Sequence, residues 1–477
     1  MRPDGASTPE ANAPPRMGAG RLGLLITRLD KTTSLALFHC REYGSIRLGP
    51  ARGKLAKHEG LEAGGDSMQR TFDVQAVREQ FPALGRTHNS RGVVYFDGPG
   101  GSQVARQAID AITGYMERGG ANLHGVFPSS TETEEILADT RGAAADFLGA
   151  APDEVAFGAN MTTLTFEISR ALARGWDEDS EIVVTELDHR ANVDPWLIAA
   201  AEQGTRVRWV RVDPETLTLN QGDLEQNINE RTKLVAIGLA SNAVGTVNDV
   251  AAVAERAHST GALVAVDAVH AAPHLPVDRD AIGADIITCS AYKFFGPHVG
   301  VTAIRRDLFE KMGVYRLDPA PNHIPDKLET GTQNHEGIAG VKGALDFISS
   351  LGEGTSQREK LTSAMKAVED HEAALAETFR KALRDIPGVK LYATPDDVRK
   401  TPTIAFTVQG KAPEVVCARM LEHGFFIAAG DFYASTLAEK LGIRDSGGFV
   451  RAGLAPYNTE GEVENVTESL ARFVRET

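Results

Sequence analysis

From about residue 90 to residue 325 the sequence alternates short β-branched runs with amphipathic stretches, and this alternation narrows the chain to one broad architecture. The apolar runs are VVYFD, EIVVTEL, RVRWVRV, KLVAIGLA, ALVAVDA, ADIITCS and HVGVTAI. Between them lie helical patterns such as ANVDPWLIAAAEQG and DVAAVAERAHSTG, which close on a glycine as helices tend to. Strands so uniformly apolar must be covered on both faces. The pattern predicts an α/β fold with a mostly parallel seven-stranded sheet wrapped by helices.

After residue 335 the character changes. A long polar helix pattern over 354–386 is followed by the strand TPTIAFTV, a helix at APEVVCARMLEHG, a strand FFIAAG and a final helix TEGEVENVTESLARFV. This predicts a smaller α+β C-terminal domain. The Pro-rich stretch DPAPNHIPDKLETGTQN marks the boundary, giving a large domain over 68–330 and a small one over 331–477.

Residues 1–67 differ from the rest: they hold ten Lys+Arg against seven Asp+Glu, while the whole chain carries −15. Their apolar run is broken by Arg28, Asp30 and Lys31, so it is no membrane span. We read the segment as a poorly ordered extension, with native translation starting at Met68. The acidic balance argues against nucleic acid as a partner, because each phosphate contact would work against the overall field. Cys40, Cys289 and Cys417 match no zinc or disulfide spacing, which fits a reducing, cytoplasmic setting. Cys289 in its apolar strand and Cys417 on a helix face read as core residues.

Ligands of open α/β sheets sit at the carboxyl ends of the strands. Here those ends carry chemistry. Asp267 ends ALVAVD, His189 follows IVVTELD, Asn242 follows LVAIGLAS, and Ser290, Tyr292 and Lys293 follow ADIITC. A lysine in a low-dielectric cleft loses part of its preference for the charged form and becomes a nucleophile toward an aldehyde. The cofactor that exploits this is pyridoxal 5′-phosphate, whose ring accepts electrons when an acidic partner keeps its nitrogen protonated. Asp267 fits that need.

With Lys293 standing 26 residues after Asp267, VAVDAVHAAPHLPVD and SAYKFFGP resemble the cofactor site of class V aminotransferases, specifically the cysteine desulfurase-like enzymes. The stretches YFDGPGGSQ, GGANLHG, ELDHRANVDPW, LASNAVGTVNDV, LETGTQN and VRAGLAPYNTEGEV follow in the family's order. The resemblance covers nearly all of 72–477 and implies a fold-type-I, pyridoxal-phosphate-dependent transferase.

It also implies roles, position by position. Lys293 would hold the cofactor as a Schiff base and shuttle the proton, Asp267 would pair the ring nitrogen, and His189 would stack on the ring. Asn242 and His270 would face the phenolic oxygen, His270 standing where the family has glutamine. Ser290 and Tyr292 would hold the phosphate, with Tyr292 where histidine is frequent, aided by the helix start at Asn160, Met161 and Thr162. Thr332 would reach the phosphate of a neighbouring subunit, implying a homodimer with shared sites. Arg451 would clamp the substrate carboxylate, Asn242 facing either that carboxylate or the phenolic oxygen, and His124 reads as lining the substrate mouth or as a structural turn residue.

One departure bears on function. The family's desulfurases carry a mobile-loop cysteine that attacks sulfur, and Tyr433 stands in that place, with Ala428 where an arginine is usual. No cysteine lies between 418 and 477. A phenol does not replace a thiolate nucleophile. The expectation is therefore an aminotransferase or C–S-type β-lyase acting on a small amino acid through a Cα carbanion. An epimerase of the same fold and a cofactor-binding protein without catalysis are the alternatives.

Overall fold

A computed structural model describes the chain from residue 72 to residue 476. The expected extension over 1–67, the start at Met68 and Cys40 lie outside the described residues.

The main sheet has seven strands in the order Val155–Gly158, Gly300–Ile304, Ile286–Ser290, Leu263–Asp267, Thr232–Gly238, Glu181–Thr185 and Arg206–Val210. Neighbours from Ile286–Ser290 to Arg206–Val210 run parallel, and Gly300–Ile304 runs antiparallel to both of its partners. Successive side chains point to opposite faces. Val235, Ile237, Val264, Val266 and Ile287 therefore enter one apolar core, while Leu234, Ala236, Ala265 and Ile286 enter another. Each fully buried Val or Ile contributes about 1.5–3 kcal/mol, so two dry faces explain the unbroken apolar runs.

One run is not where the alternation suggests. Val94–Tyr95 of VVYFD pairs in parallel with Phe425–Phe426, and Phe96 is buried in the core of the second sheet. Its place in the main sheet goes to the four-residue strand Val155–Gly158, too short to stand out by periodicity.

The second sheet is antiparallel, in the order Val389–Tyr392, Thr403–Val408, Phe449–Gly453, Ala428–Gly430. Helices Gln357–Arg384 and Glu460–Arg475 cover it, packing Leu375, Phe379 and Leu470 against Ile404, Phe406 and Val450. Both helices open with a capping box, Ser356 with Glu359 and Thr459 with Glu462, which satisfies N–H groups left free at a helix start. Helix His335–Ser350 packs on helix Arg106–Arg118 and places Ile338, Val341 and Leu345 in the core of the main sheet.

The segment after Val94–Tyr95 crosses between the layers. The Gly453 N–H donates to the Phe96 carbonyl at 2.7 Å. A Cβ at Gly453 would lie 2.1 Å from Pro99 Cδ, so only glycine permits this approach. Among the described residues no helix is long and apolar enough to cross a membrane.

Candidate active site

A cavity of about 800 Å³ opens at the carboxyl ends of the main-sheet strands. Asp267 is the last residue of its strand and Ser290 of the next, while Lys293 sits in the turn that follows. All three line the cavity, together with Asn160, Met161, Thr162, His189, Asn242, His270, Tyr292 and Arg451. Thr332 and His124 do not. Thr332 borders a separate cavity of about 310 Å³ with Thr163, Glu167 and Thr330. His124 is an exposed left-handed residue beside Glu134.

Lys293 is 7 % exposed, and its Nζ donates to the carbonyl of Pro99. Burial pulls the amine down from 10.5 to about 7, the Arg451 charge adds to the fall, and Asp267 and Asp97 oppose it. An amine so placed is neutral in a large fraction of molecules near pH 7, as a nucleophile or proton acceptor must be. Asp267 accepts from the Val269 N–H at 2.8 Å, and burial pushes its carboxyl up to about 6. A cation beside it would reverse that rise.

His189 accepts from the Ala191 N–H through Nδ1 at 3.0 Å. Burial, then the charges of Lys293 and Arg451, pull it down to about 4. The ring is therefore neutral with its proton on Nε2, an N–H donor. His270 is buried and held well below the usual imidazole range, chiefly by desolvation. Its Nε2 lies 3.1 Å from the Thr401 hydroxyl and 2.7 Å from that of Thr403.

The anion end of the cavity is built by a helix and a strand. Helix Met161–Ala173 starts at Asn160, whose side chain accepts from the Thr163 N–H, and the Ser290 hydroxyl accepts from the Met161 N–H at 3.0 Å. A Cβ at Gly300 would lie 2.4 Å from the Asn160 carbonyl carbon, so glycine lets the helix start seat against the sheet. Tyr292 stacks on His298, with centroids 5.0 Å apart at 8°.

Arg451 is buried in strand Phe449–Gly453 and donates through Nη1 to the Asn242 carbonyl at 2.8 Å. Its guanidinium carbon lies 3.6 Å from the centroid of the Phe432 ring. Burial lowers it to about 9, and it stays charged at neutral pH. One face and one donor are fixed, leaving other N–H groups for a carboxylate.

Sequence reasoning passed over two carboxylates. Asp188 lines the cavity and accepts from the Gly238 N–H and from Asn192 Nδ2, and burial with the Asp267 charge pushes it up to about 7. Asp97 lies near Arg451 and Lys293, and burial raises its carboxyl. Both stand inside quoted motifs, ELDHRANVDPW and YFDGPGGSQ, and that position was the available signal.

A sequence profile of the family described as aminotransferase class-V matches residues 94–466. The chain belongs to the class-V aminotransferase family. It is 31% identical over 421 residues to a probable cysteine desulfurase of Streptomyces coelicolor, covering 84% of this chain and 96% of that protein. It is 30% identical over 415 residues to the aminotransferase-like protein FGM3 of Gibberella zeae, covering 84% and 98%. The apo structure of a cysteine desulfurase from Thermococcus onnurineus NA1 superposes with a TM-score of 0.75 at 25% identity, covering 84% of this chain and 98% of that one.

Class-V aminotransferases and the cysteine desulfurases among them use pyridoxal phosphate, and the cavity suits that group. It offers a buried amine of lowered basicity and a buried carboxylate at adjoining strand ends. His270 Nδ1 and Asn242 Oδ1 are buried without a hydrogen-bond partner among the described residues. Buried polar atoms are ordinarily paired, so both fit contacts to a bound group.

Proposed function

We propose that this class-V aminotransferase acts on a small amino acid by removing its Cα proton, as an aminotransferase or a C–S-type β-lyase, and does not form a persulfide on a loop cysteine. The observation that carries the reading is a cavity with a buried lysine and no cysteine among its lining residues. Cys289 is fully buried with its thiol pushed up, and Cys417 is pushed up to about 12. Neither is the accessible thiolate that sulfur attack requires.

Bound pyridoxal phosphate supplies an aldehyde that condenses with amines and a ring that takes up the electron pair left at Cα. Lys293 would hold it. Asp267 would keep its ring nitrogen protonated, and His189 would cover the ring. Asn160, Met161, Thr162, Ser290 and Tyr292 would hold its phosphate, while His270 and Asn242 would meet its phenolic oxygen. Arg451 binds the substrate carboxylate and so fixes which Cα bond faces Lys293. Lys293, freed as a neutral amine, takes the Cα proton and returns it. A homodimer belongs to the same reading, with Thr332 assigned to the phosphate site of the second copy.

Visible absorbance of the purified protein before and after borohydride, followed by peptide mass analysis, tests the lysine. A reduced adduct on Lys293 is expected, and its absence from cofactor-saturated protein would sink the reading. Assays for keto acid, pyruvate and ammonia with candidate amino acids then separate transfer from elimination.

A further inference from the structure

The cavity mouth carries a pair of residues, one of which the chemistry above leaves unused. Phe432 and Tyr433 are consecutive non-glycine residues with φ of 56° and 59°, a left-handed conformation that such residues rarely adopt. Two hydrogen bonds from the main-sheet side hold them: Asn242 Nδ2 donates to the Phe432 carbonyl and the Arg190 N–H to the Tyr433 carbonyl, each at 2.9 Å. The first ring is used, lying over Arg451. The second is not. Tyr433 is 69 % exposed yet lines the cavity, its ring 5.3 Å from that of His189 at 36°.

The charges of the cavity point the same way. Among the described residues that line it, Asp188 and Asp267 are the carboxyls and Lys293 and Arg451 the amine and the guanidinium. Asp188 already accepts from Gly238 and Asn192, and the functional reading assigns the other three to the ring nitrogen, the amine and the carboxylate. A substrate side chain with its own charge would meet no free counter-charge among these groups, which is costly to the extent that it is desolvated there. A flat neutral side chain would instead meet ring faces, on which aromatic groups pack favourably.

We infer that the site takes an amino acid with a flat, uncharged side chain and that Tyr433 recognises that side chain. The inference rests on the reading of the cavity as an amino-acid site. Its test is a titration of the purified holoenzyme with L-phenylalanine, L-alanine, L-aspartate and L-arginine, followed by the visible absorbance of the bound cofactor. L-Phenylalanine is expected to half-saturate at a concentration about tenfold below the other three, near the upper end of what aromatic packing supplies. Tyr433→Ala is expected to lose most of that preference and Tyr433→Phe to keep it, because the ring face and not the hydroxyl does the work. Half-saturation by L-aspartate or L-arginine below L-phenylalanine overturns the inference, as does a preference unchanged in Tyr433→Ala. A spectrum that no amino acid alters removes the functional reading as a whole, and the substrate class with it.

Discussion

The backbone N–H of Gly238 donates to both carboxylate oxygens of Asp188, at 2.9 and 3.0 Å. Gly238 is paired in register with Asp267, so two buried acids stand on either side of the end of strand Thr232–Gly238, with one glycine between them. Burial pushes Asp188 up to about 7 and Asp267 up to about 6.

In protein freed of cofactor, the stability contributed by Asp188 and Asp267 is expected to fall as pH rises from about 4 to about 7. Both folded pKa values lie above the ordinary 3.8, so in that window these two groups hold more protons in the folded chain than in the unfolded one and their part of the unfolding free energy falls with pH, while His189 and His270, held low by burial, act in the opposite direction. The stabilisation is fully present below the unfolded pKa. Asp188→Asn removes one contributor, worth roughly 4 kcal/mol at most for a rise of about three units. Urea midpoints near pH 5 and near pH 8 measure it; equal slopes in wild type and variant contradict it.

Asp267→Asn should lower kcat/KM about a thousandfold. Opposite charges about 4 Å apart at an effective dielectric near 20 interact by roughly 4 kcal/mol, which is about that factor. The cofactor's absorbance should also change its pH dependence, which a merely structural loss would not produce.

Recombination of pyridoxal phosphate with cofactor-free protein should speed up with rising pH until about 7 and then level off, following the neutral fraction of Lys293. Asp97 opposes the fall in that pKa. In Asp97→Asn the midpoint should therefore move to lower pH. Stopped-flow absorbance measures it, and an upward shift would count against the assignment.

Thr403→Val should cost about 0.5–1.5 kcal/mol, the net worth of one ordinary hydrogen bond, because His270 Nε2 loses its 2.7 Å contact and keeps the 3.1 Å contact to Thr401. Thr403→Ser should restore most of it. Denaturant unfolding of the three proteins decides.

Incubation with L-cysteine should leave Cys289 and Cys417 unmodified by mass spectrometry. Both thiols are raised by burial, and neither lines the cavity. A persulfide on either would restore the desulfurase route.

Lys293, Asp267 and His189 were legible because strand-end positions follow from the apolar runs alone, and a carboxyl end is where such sheets bind. The helix start at Asn160 was legible for a similar local reason, its cap. VVYFD was misplaced because a β-branched run reads alike in either sheet; its partner Phe425–Phe426 lies more than three hundred residues on. Asp188 and Asp97 were missed because their importance comes from neighbours, Gly238 and Arg451, that only the folded chain brings close. The Phe432 ring over Arg451 depends on left-handed backbone at a non-glycine residue, and no propensity predicts that.

The seam between Phe96, Pro99 and Gly453 bears on synthesis. The carbonyl that receives the Lys293 amine belongs to an early stretch of the chain whose anchor is made among the last. On the ribosome, the nascent large layer can stack its strands long before that anchor emerges, but Pro99 gains its seat only once Gly453 has left the exit tunnel. Closure of the site around Lys293 therefore waits on that strand, and a chain stopped short of it should fold in part yet stay colourless.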